Sequence, residues 1–236
     1  HAGLNSGDKI ALLSNNMPNW GVAYFAATVS GMVIVPILPD FSGPELDKII
    51  LHSEAKALVV SDKLFTKVSK EVISGLNFVV RSMNLGVIHQ TSDTLGSVTI
   101  PNGDDLAAII YTSGTTSSPK GVMLSHRNLC SELEMVSILQ PVYPDDVFLS
   151  ILPLSHTYEC SLGMLLPVMW GASVVYLDKA PTASVLLPVL KKVRPTIMLT
   201  VPLIIEKIYK NKILPQVAGN RLMAALYKTD WGRRFL

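Results

Sequence analysis

Short apolar runs alternate with amphipathic stretches along almost the whole chain. Residues 10–14 form the first apolar run and predict a strand. A helix is expected over 20–30, after a Met17-Pro18 turn and with Asn19 as its cap. Residues 33–38 predict a second strand. Ser42 and Glu45, three apart, have the spacing of a capping box and open a helix to about His52. Residues 57–60 predict a third strand and 78–81 a weaker one. The stretch 84–103, rich in Gly, Ser, Thr and Asn, reads as an irregular or hairpin-like excursion. The run 106–110 is apolar without a break and predicts a buried strand. Ser125 is placed to cap a helix through 138. Strands are expected at 147–151, 173–176 and 197–200, with helices over 158–170 and 182–193 between them. This order predicts an α/β fold, with a largely parallel sheet flanked by helices. The continuous apolar runs agree, because a strand covered on both faces has no need to alternate.

Composition narrows the picture. The chain has 236 residues, 49% hydrophobic and 16% charged, enough to bury a sizeable core in one large domain or two small ones. Net charge is +2 from 20 basic and 18 acidic residues, and no Lys/Arg block stands out, so no nucleic-acid partner is expected. Cys130 and Cys160 make neither a Cys-x-x-Cys pair nor a disulfide framework, and reduced thiols in a cytoplasmic protein are expected. His1, His52 and His89 are scattered, and no metal-ligand set is assigned. Residues 20–39 carry no charge over about the length of a membrane span. Gly31 and Pro36 interrupt them, and the segment divides into a helix and a strand. The stretch from 202 onward is helix-like and basic, with Lys207, Lys210, Lys212, Arg221, Lys228, Arg233 and Arg234. It reads as a solvated helix face or as a peripheral contact with the inner face of a membrane.

The candidate chemistry lies just after the 106–110 run. Thr112, Ser113, Thr115, Thr116, Ser117 and Ser118 supply hydroxyls, Gly114 and Gly121 ease the backbone, and Lys120 adds a positive charge behind Pro119. Backbone N–H groups and hydroxyls in such a loop suit polyphosphate oxygens. It is not a Walker A loop, since Lys120 is followed by Gly121 and not by Ser or Thr.

From Thr112 to Gly121 the order of residues resembles the phosphate-binding signature of the AMP-forming adenylating enzymes, departing from it at Ser117, where Gly is usual. Leu152-Pro-Leu-Ser-His-Thr-Tyr-Glu159 is similar to a second motif of that family. Gly7-Asp-Lys-Ile-Ala-Leu12 and Asn16-Met-Pro-Asn-Trp20 look like its early strand and helix start. Ser155 to Glu159 and Val201 to Tyr209 resemble the long-chain fatty acid–CoA ligase branch. The resemblance implies activation of a carboxylic acid by ATP and Mg²⁺ to an acyl-adenylate, then transfer to coenzyme A. Thr112, Ser113, Gly114, Thr115, Thr116, Ser117, Lys120 and Gly121 would hold the phosphates, Lys120, Thr116 and His156 would act in catalysis, and His156 and Tyr158 would lie near the acyl carboxylate. It also implies that residues 1–236 are part of a large N-terminal adenylation domain. The adenine- and ribose-binding motifs and a small C-terminal domain with a catalytic lysine would come from further sequence.

Other readings stay open from the residues alone. An aryl or amino acid could replace the fatty acid, and a nucleotide-binding module without catalysis would carry the same loop. Glu159 lacks an evident partner carboxylate and reads as an N-terminal helix charge. Gly163, Met164 and Trp170 fall on the 158–170 helix, as core or as the wall of an acyl pocket.

Overall fold

The computed structural model describes residues 3–112 and 119–215. Two parallel arrays of strands share one apolar interior. In chain order the first elements are β1 (Lys9–Leu13), α1 (Pro18–Val29), β2 (Val33–Pro36), α2 (Gly43–His52) and β3 (Ala55–Val60). Then follow α3 (Asp62–Phe65), α4 (Lys70–Gly75), β4 (Phe78–Arg81), β5 (Val87–Gln90), β6 (Leu106–Thr112) and β7 (Lys120–Ser125). These strands form a seven-stranded sheet in the order β5-β4-β3-β1-β2-β6-β7. β4, β3, β1, β2 and β6 run parallel, while β5 and β7 are antiparallel edges.

The second half begins with α5 (His126–Leu139) and β8 (Val147–Ser150). A helical segment follows: α6 (Thr157–Glu159), a wide π-type stretch over Cys160–Leu165, and α7 (Leu166–Met169). β9 (Ser173–Tyr176), α8 (Ala183–Val193) and α9 (Pro202–Ile208) complete it. β8 and β9 pair in parallel. Residues 197–200, expected as a strand, make a single bridge from Ile197 to Phe148.

The core explains the layering. Ala11, Leu13, Val35, Leu58 and Val79 face α2 and the short α3 and α4 on one side of the large sheet. Ile10, Leu12 and Ile34 face the other side, where Trp20, Tyr24 and Ala27 of α1 meet Cys160, Met164 and Leu165. Phe148 of β8 closes that cluster from the far side, and Leu149 turns outward to Leu186 of α8. α1 is therefore sandwiched between two sheets, which is why its sequence is apolar nearly all round. The uncharged stretch 20–39 is this helix plus β2, and among the described residues no helix is long and apolar enough to cross a membrane.

Some expectations need correction. Asn19 does not cap α1: Met17 stands at that position, and the Asn19 amide donates to the carbonyls of Ser82 and Met83, both at 2.8 Å. β7 is a strand the pattern does not predict: its apolar run, Val122-Met123-Leu124, is only three residues long, and it is an exposed edge with no buried residue. The 158–170 helix is not regular. Pro167 has no N–H to return to a carbonyl one turn earlier, and the ladder widens to π spacing before it. The Ser42–Glu45 box is present: the Glu45 carboxylate accepts from the Ser42 backbone N–H at 2.8 Å. Of the basic residues after 202, Arg221, Lys228, Arg233 and Arg234 lie outside the described residues.

Candidate active site

β6 and β7 form a hairpin whose strands end, at Thr112 and Lys120, on either side of the candidate loop in sequence. Thr112 and Lys120 are register partners at its mouth, and both are exposed. Ser113, Gly114, Thr115, Thr116 and Ser117 lie outside the described residues. Gly121 sits opposite Tyr111, and a Cβ there would come within 2.7 Å of the Ile109 side chain and 3.3 Å of the Tyr111 ring. The glycine thus serves close packing within the hairpin. Tyr111 is in turn fixed from below: its hydroxyl lies 2.7 Å from Nδ1 of His52 at the end of α2, and burial raises its pKa.

The hairpin leads directly into α5. The Ser125 hydroxyl accepts from the Asn128 backbone N–H at 3.2 Å, and Asn128 Oδ1 accepts from the Ser125 N–H at 3.0 Å, a closed cap. The neighbouring Arg127 guanidinium pairs with Asp104 at 2.7 Å. His126 donates its backbone N–H to the Asp105 carbonyl; burial lowers its side-chain pKa and Asp105 partly restores it.

His156 and Tyr158 occupy a turn beyond β8. Both are exposed. His156 begins α6: its carbonyl accepts from the Cys160 N–H at 2.8 Å, and its own N–H donates to the Pro153 carbonyl at 2.9 Å. No described contact joins this turn to Thr112 or Lys120. What relates them is topology. β6 and β1 are parallel, so the loop after β6 and the Asn15-Asn16 pair after β1 leave the same edge of the large sheet. Asn16 then clamps the end of β8: its amide donates to the Leu152 carbonyl at 2.6 Å and to Ser150 Oγ at 3.3 Å, and its Oδ1 accepts from the Leu154 N–H at 2.9 Å. The carboxyl ends of both parallel arrays therefore open on one side, where α/β sheets bind ligands. A cleft of about 330 Å³ lies there, lined by Asn15, Asn16, Asp40, Pro153, Asp178 and Lys179 among others.

Glu159 does stand in the first turn of a helix, as expected, but its carboxyl is fully buried. Neither carboxylate oxygen has a hydrogen-bond partner at good geometry. Burial pushes its pKa up to about 7, against smaller opposing effects from the Ser150 hydroxyl and the Ile151 N–H. Neither the Asn16 clamp nor the burial of Glu159 has a signal in the sequence. Met164 is plain core, and Trp170 is partly exposed with its indole N–H on Ser137 Oγ at 2.8 Å.

The exposed cation and hydroxyl at the hairpin mouth are chemically suited to an anionic ligand. Among the described residues no cluster of three or more His, Cys, Asp or Glu side chains is placed to hold a metal ion.

The chain is 30% identical over 256 residues to a chloroplastic long-chain-fatty-acid–acyl-carrier-protein ligase of Arabidopsis thaliana, covering 94% of this chain and 34% of that protein. It is 28% identical over 242 residues to the crotonobetaine/carnitine–CoA ligase of Proteus mirabilis, covering 95% of this chain and 46% of that protein. Among solved structures, ATP-bound MatB from Rhodopseudomonas palustris superposes with a TM-score of 0.73 at 26% identity, over 89% of this chain and 42% of that one. The chain spans about a third of the length of the first of these relatives. A family model described as AMP-binding enzyme matches residues 1–229, and the chain therefore belongs to the AMP-binding enzyme family, the adenylating enzymes that the 112–121 motif resembles.

Proposed function

We propose that the protein of which this chain forms part activates a long-chain fatty acid with ATP, forming an acyl-adenylate and then an acyl-CoA. The observation that carries the reading is the β6–β7 hairpin, which pairs Thr112 with Lys120 across the mouth of the family's phosphate loop. Adenylation brings a carboxylate to the α-phosphate, so the work is charge neutralisation and alignment. Lys120 and Thr112, with Ser113, Thr115, Thr116 and Ser117, would hold the β- and γ-phosphates. Mg²⁺ would arrive with ATP and supply further positive charge. His156 would stand near the acyl carboxylate, with Tyr158 beside it at the entrance. Residues 1–236 would be part of the N-terminal adenylation domain, with coenzyme A handled jointly with the rest of the protein. A cytoplasmic enzyme touching a membrane surface would suit a lipid substrate. The resemblance of Ser155 to Glu159 to the long-chain branch supports the choice of acid, as does the likeness to the Arabidopsis ligase.

The test is ATP–pyrophosphate exchange by the full-length protein with long-chain fatty, aryl and amino acids and carnitine. Long-chain fatty acids should give the highest kcat/KM. Exchange only with another class would reassign the substrate, and ATP binding without exchange would make the protein a nucleotide-binding module.

A further inference from the structure

We propose that Glu159, through its buried carboxyl, is the positioning residue for the turn that carries His156. The inference rests on the reading of His156 as a substrate-side residue. Three features of the structure converge on it.

The carboxyl has a built seat. Glu159 is 0% exposed. The π-type stretch that follows brings Gly163 so close that a Cβ there would lie 2.8 Å from both Cδ and Oε1 of Glu159. Only a residue without a side chain leaves that space, and π-type widenings recur at functional sites.

The seat is tied to His156 by short links. Glu159 ends the single turn α6 that His156 begins, and the next residue closes that turn by donating its N–H to the His156 carbonyl at 2.8 Å. On the strand side the carboxyl faces Ser150 and Ile151 at the end of β8. Ser150 Oγ accepts from Asn16, which also fixes Leu152 and Leu154. Moving the carboxyl moves the turn relative to the end of β8.

The carboxyl is also switchable. Burial holds its pKa at about 7. The other titratable groups facing this pocket are Tyr24 from α1, Cys160 from its own segment, Tyr176 from β9 and Glu132 from α5. Tyr176 and Cys160 are pushed up to about 12, chiefly by burial, and Tyr24 is raised well above its usual value by the same cause. Glu132 accepts from the Ser161 hydroxyl at 3.0 Å. With a neutral carboxyl the seat holds; for an ionised carboxylate the cost of burial outweighs what the Ser150 hydroxyl and the Ile151 N–H return, so it is driven from the seat, carrying the His156 turn with it.

The experiment uses the full-length protein, its Glu159→Gln variant and its Gly163→Ala variant. Amide hydrogen exchange of peptides spanning 153–163 is followed from pH 5.5 to 8.5 and corrected for intrinsic rates, beside the KM for fatty acid in pyrophosphate exchange. In the wild type, protection should fall by roughly tenfold across pH 6–8, the effect of about one pH unit of linkage. KM should rise over the same range. Gln keeps the shape but cannot ionise, so both profiles should flatten. The methyl of Gly163→Ala displaces the carboxyl, so protection should be low and KM high at every pH. Superimposable wild-type and Glu159→Gln profiles would overturn the proposal. So would a Gly163→Ala variant with unchanged protection, a readout that stands even where Glu159→Gln fails to fold. If protection behaves as expected while no carboxylic acid supports exchange, the positioning role stands and the activity reading fails.

Discussion

Asn16 and Leu154 lie far apart in sequence but meet where the two sheets end: Asn16 Oδ1 accepts the Leu154 backbone N–H at 2.9 Å. The same amide donates to the Leu152 carbonyl at 2.6 Å, so one side chain satisfies backbone groups on both sides of Pro153. A side-chain amide offers a donor and an acceptor on two separate atoms, whereas an ionised carboxylate offers acceptors alone. Asn16→Ala should therefore lower stability by about 2 kcal/mol, the worth of lost hydrogen bonds to half-buried groups. Asn16→Asp should cost more, because a carboxylate oxygen would then face the Leu152 carbonyl. Urea unfolding of both variants at neutral pH checks the order, and an aspartate as stable as the wild type would refute this account of the clamp.

Lys120 gives a prediction of the opposite kind. It is exposed at the hairpin mouth and buries little apolar area. Lys120→Ala should shift stability by only about 0.5 kcal/mol. Loss of one preorganised group aimed at phosphate can reduce rate by roughly 100-fold, or about 3 kcal/mol. Pyrophosphate exchange should fall sharply while the melting temperature hardly moves. Early unfolding with normal exchange by the folded fraction would make the position structural.

The parts of the fold written in burial were legible in the sequence. The apolar runs at 10–14, 33–38 and 106–110 fall on the interior strands β1, β2 and β6, and the Ser42–Glu45 box and the Ser125 cap mark true helix starts. β7 was hidden because its apolar run, Val122 to Leu124, is short and exposed, and α3 and α4 because they are short. The proposed site is a matter of residue types in order, from Thr112 to Gly121 and at His156, and of these the structure describes Thr112, Lys120, Gly121 and His156. The roles of Asn16 and Glu159 were not legible, because both depend on partners distant in sequence or on a departure from regular helix. Gly121 was read as backbone freedom, and the structure gives a steric reason instead.

That steric reason is testable. A methyl at Gly121 would press on Ile109 and on Tyr111, whose hydroxyl is held at His52. Overpacking of this sort costs about 1–3 kcal/mol. Gly121→Ala should lower the denaturation midpoint by a matching amount, and His52→Ala, which frees the Tyr111 ring, should soften the penalty. Additive effects of the two changes would separate Gly121 from the Tyr111–His52 contact.

The pH dependence of stability is the last consequence, and its sign is unusual for a carboxylate. Glu45, Glu54, Asp104 and Asp146 have lowered pKa values: Glu45 from the Ser42 hydroxyl, Glu54 from Lys9, Asp104 from Arg127 and Asp146 from the Tyr143 N–H. Their contributions are present above the unfolded pKa and are lost as pH falls through the folded one. Glu159 acts in reverse. Its folded pKa is raised from 4.5 to about 7 by burial, so between these values the folded state holds a proton that the unfolded state has released. Stability from this residue is fully present below pH 4.5, declines as pH rises, and levels off above about 7. The whole decline is at most about 3 kcal/mol. Glu159→Gln removes this titration and leaves the other carboxylates untouched. The difference in unfolding free energy between wild type and variant, measured by urea denaturation from pH 4 to 8, should therefore drift steadily against the wild type until neutrality. A constant difference across that range would mean that the folded and unfolded states release the Glu159 proton alike, and that the Ser150 hydroxyl and the Ile151 N–H offset the whole cost of burial.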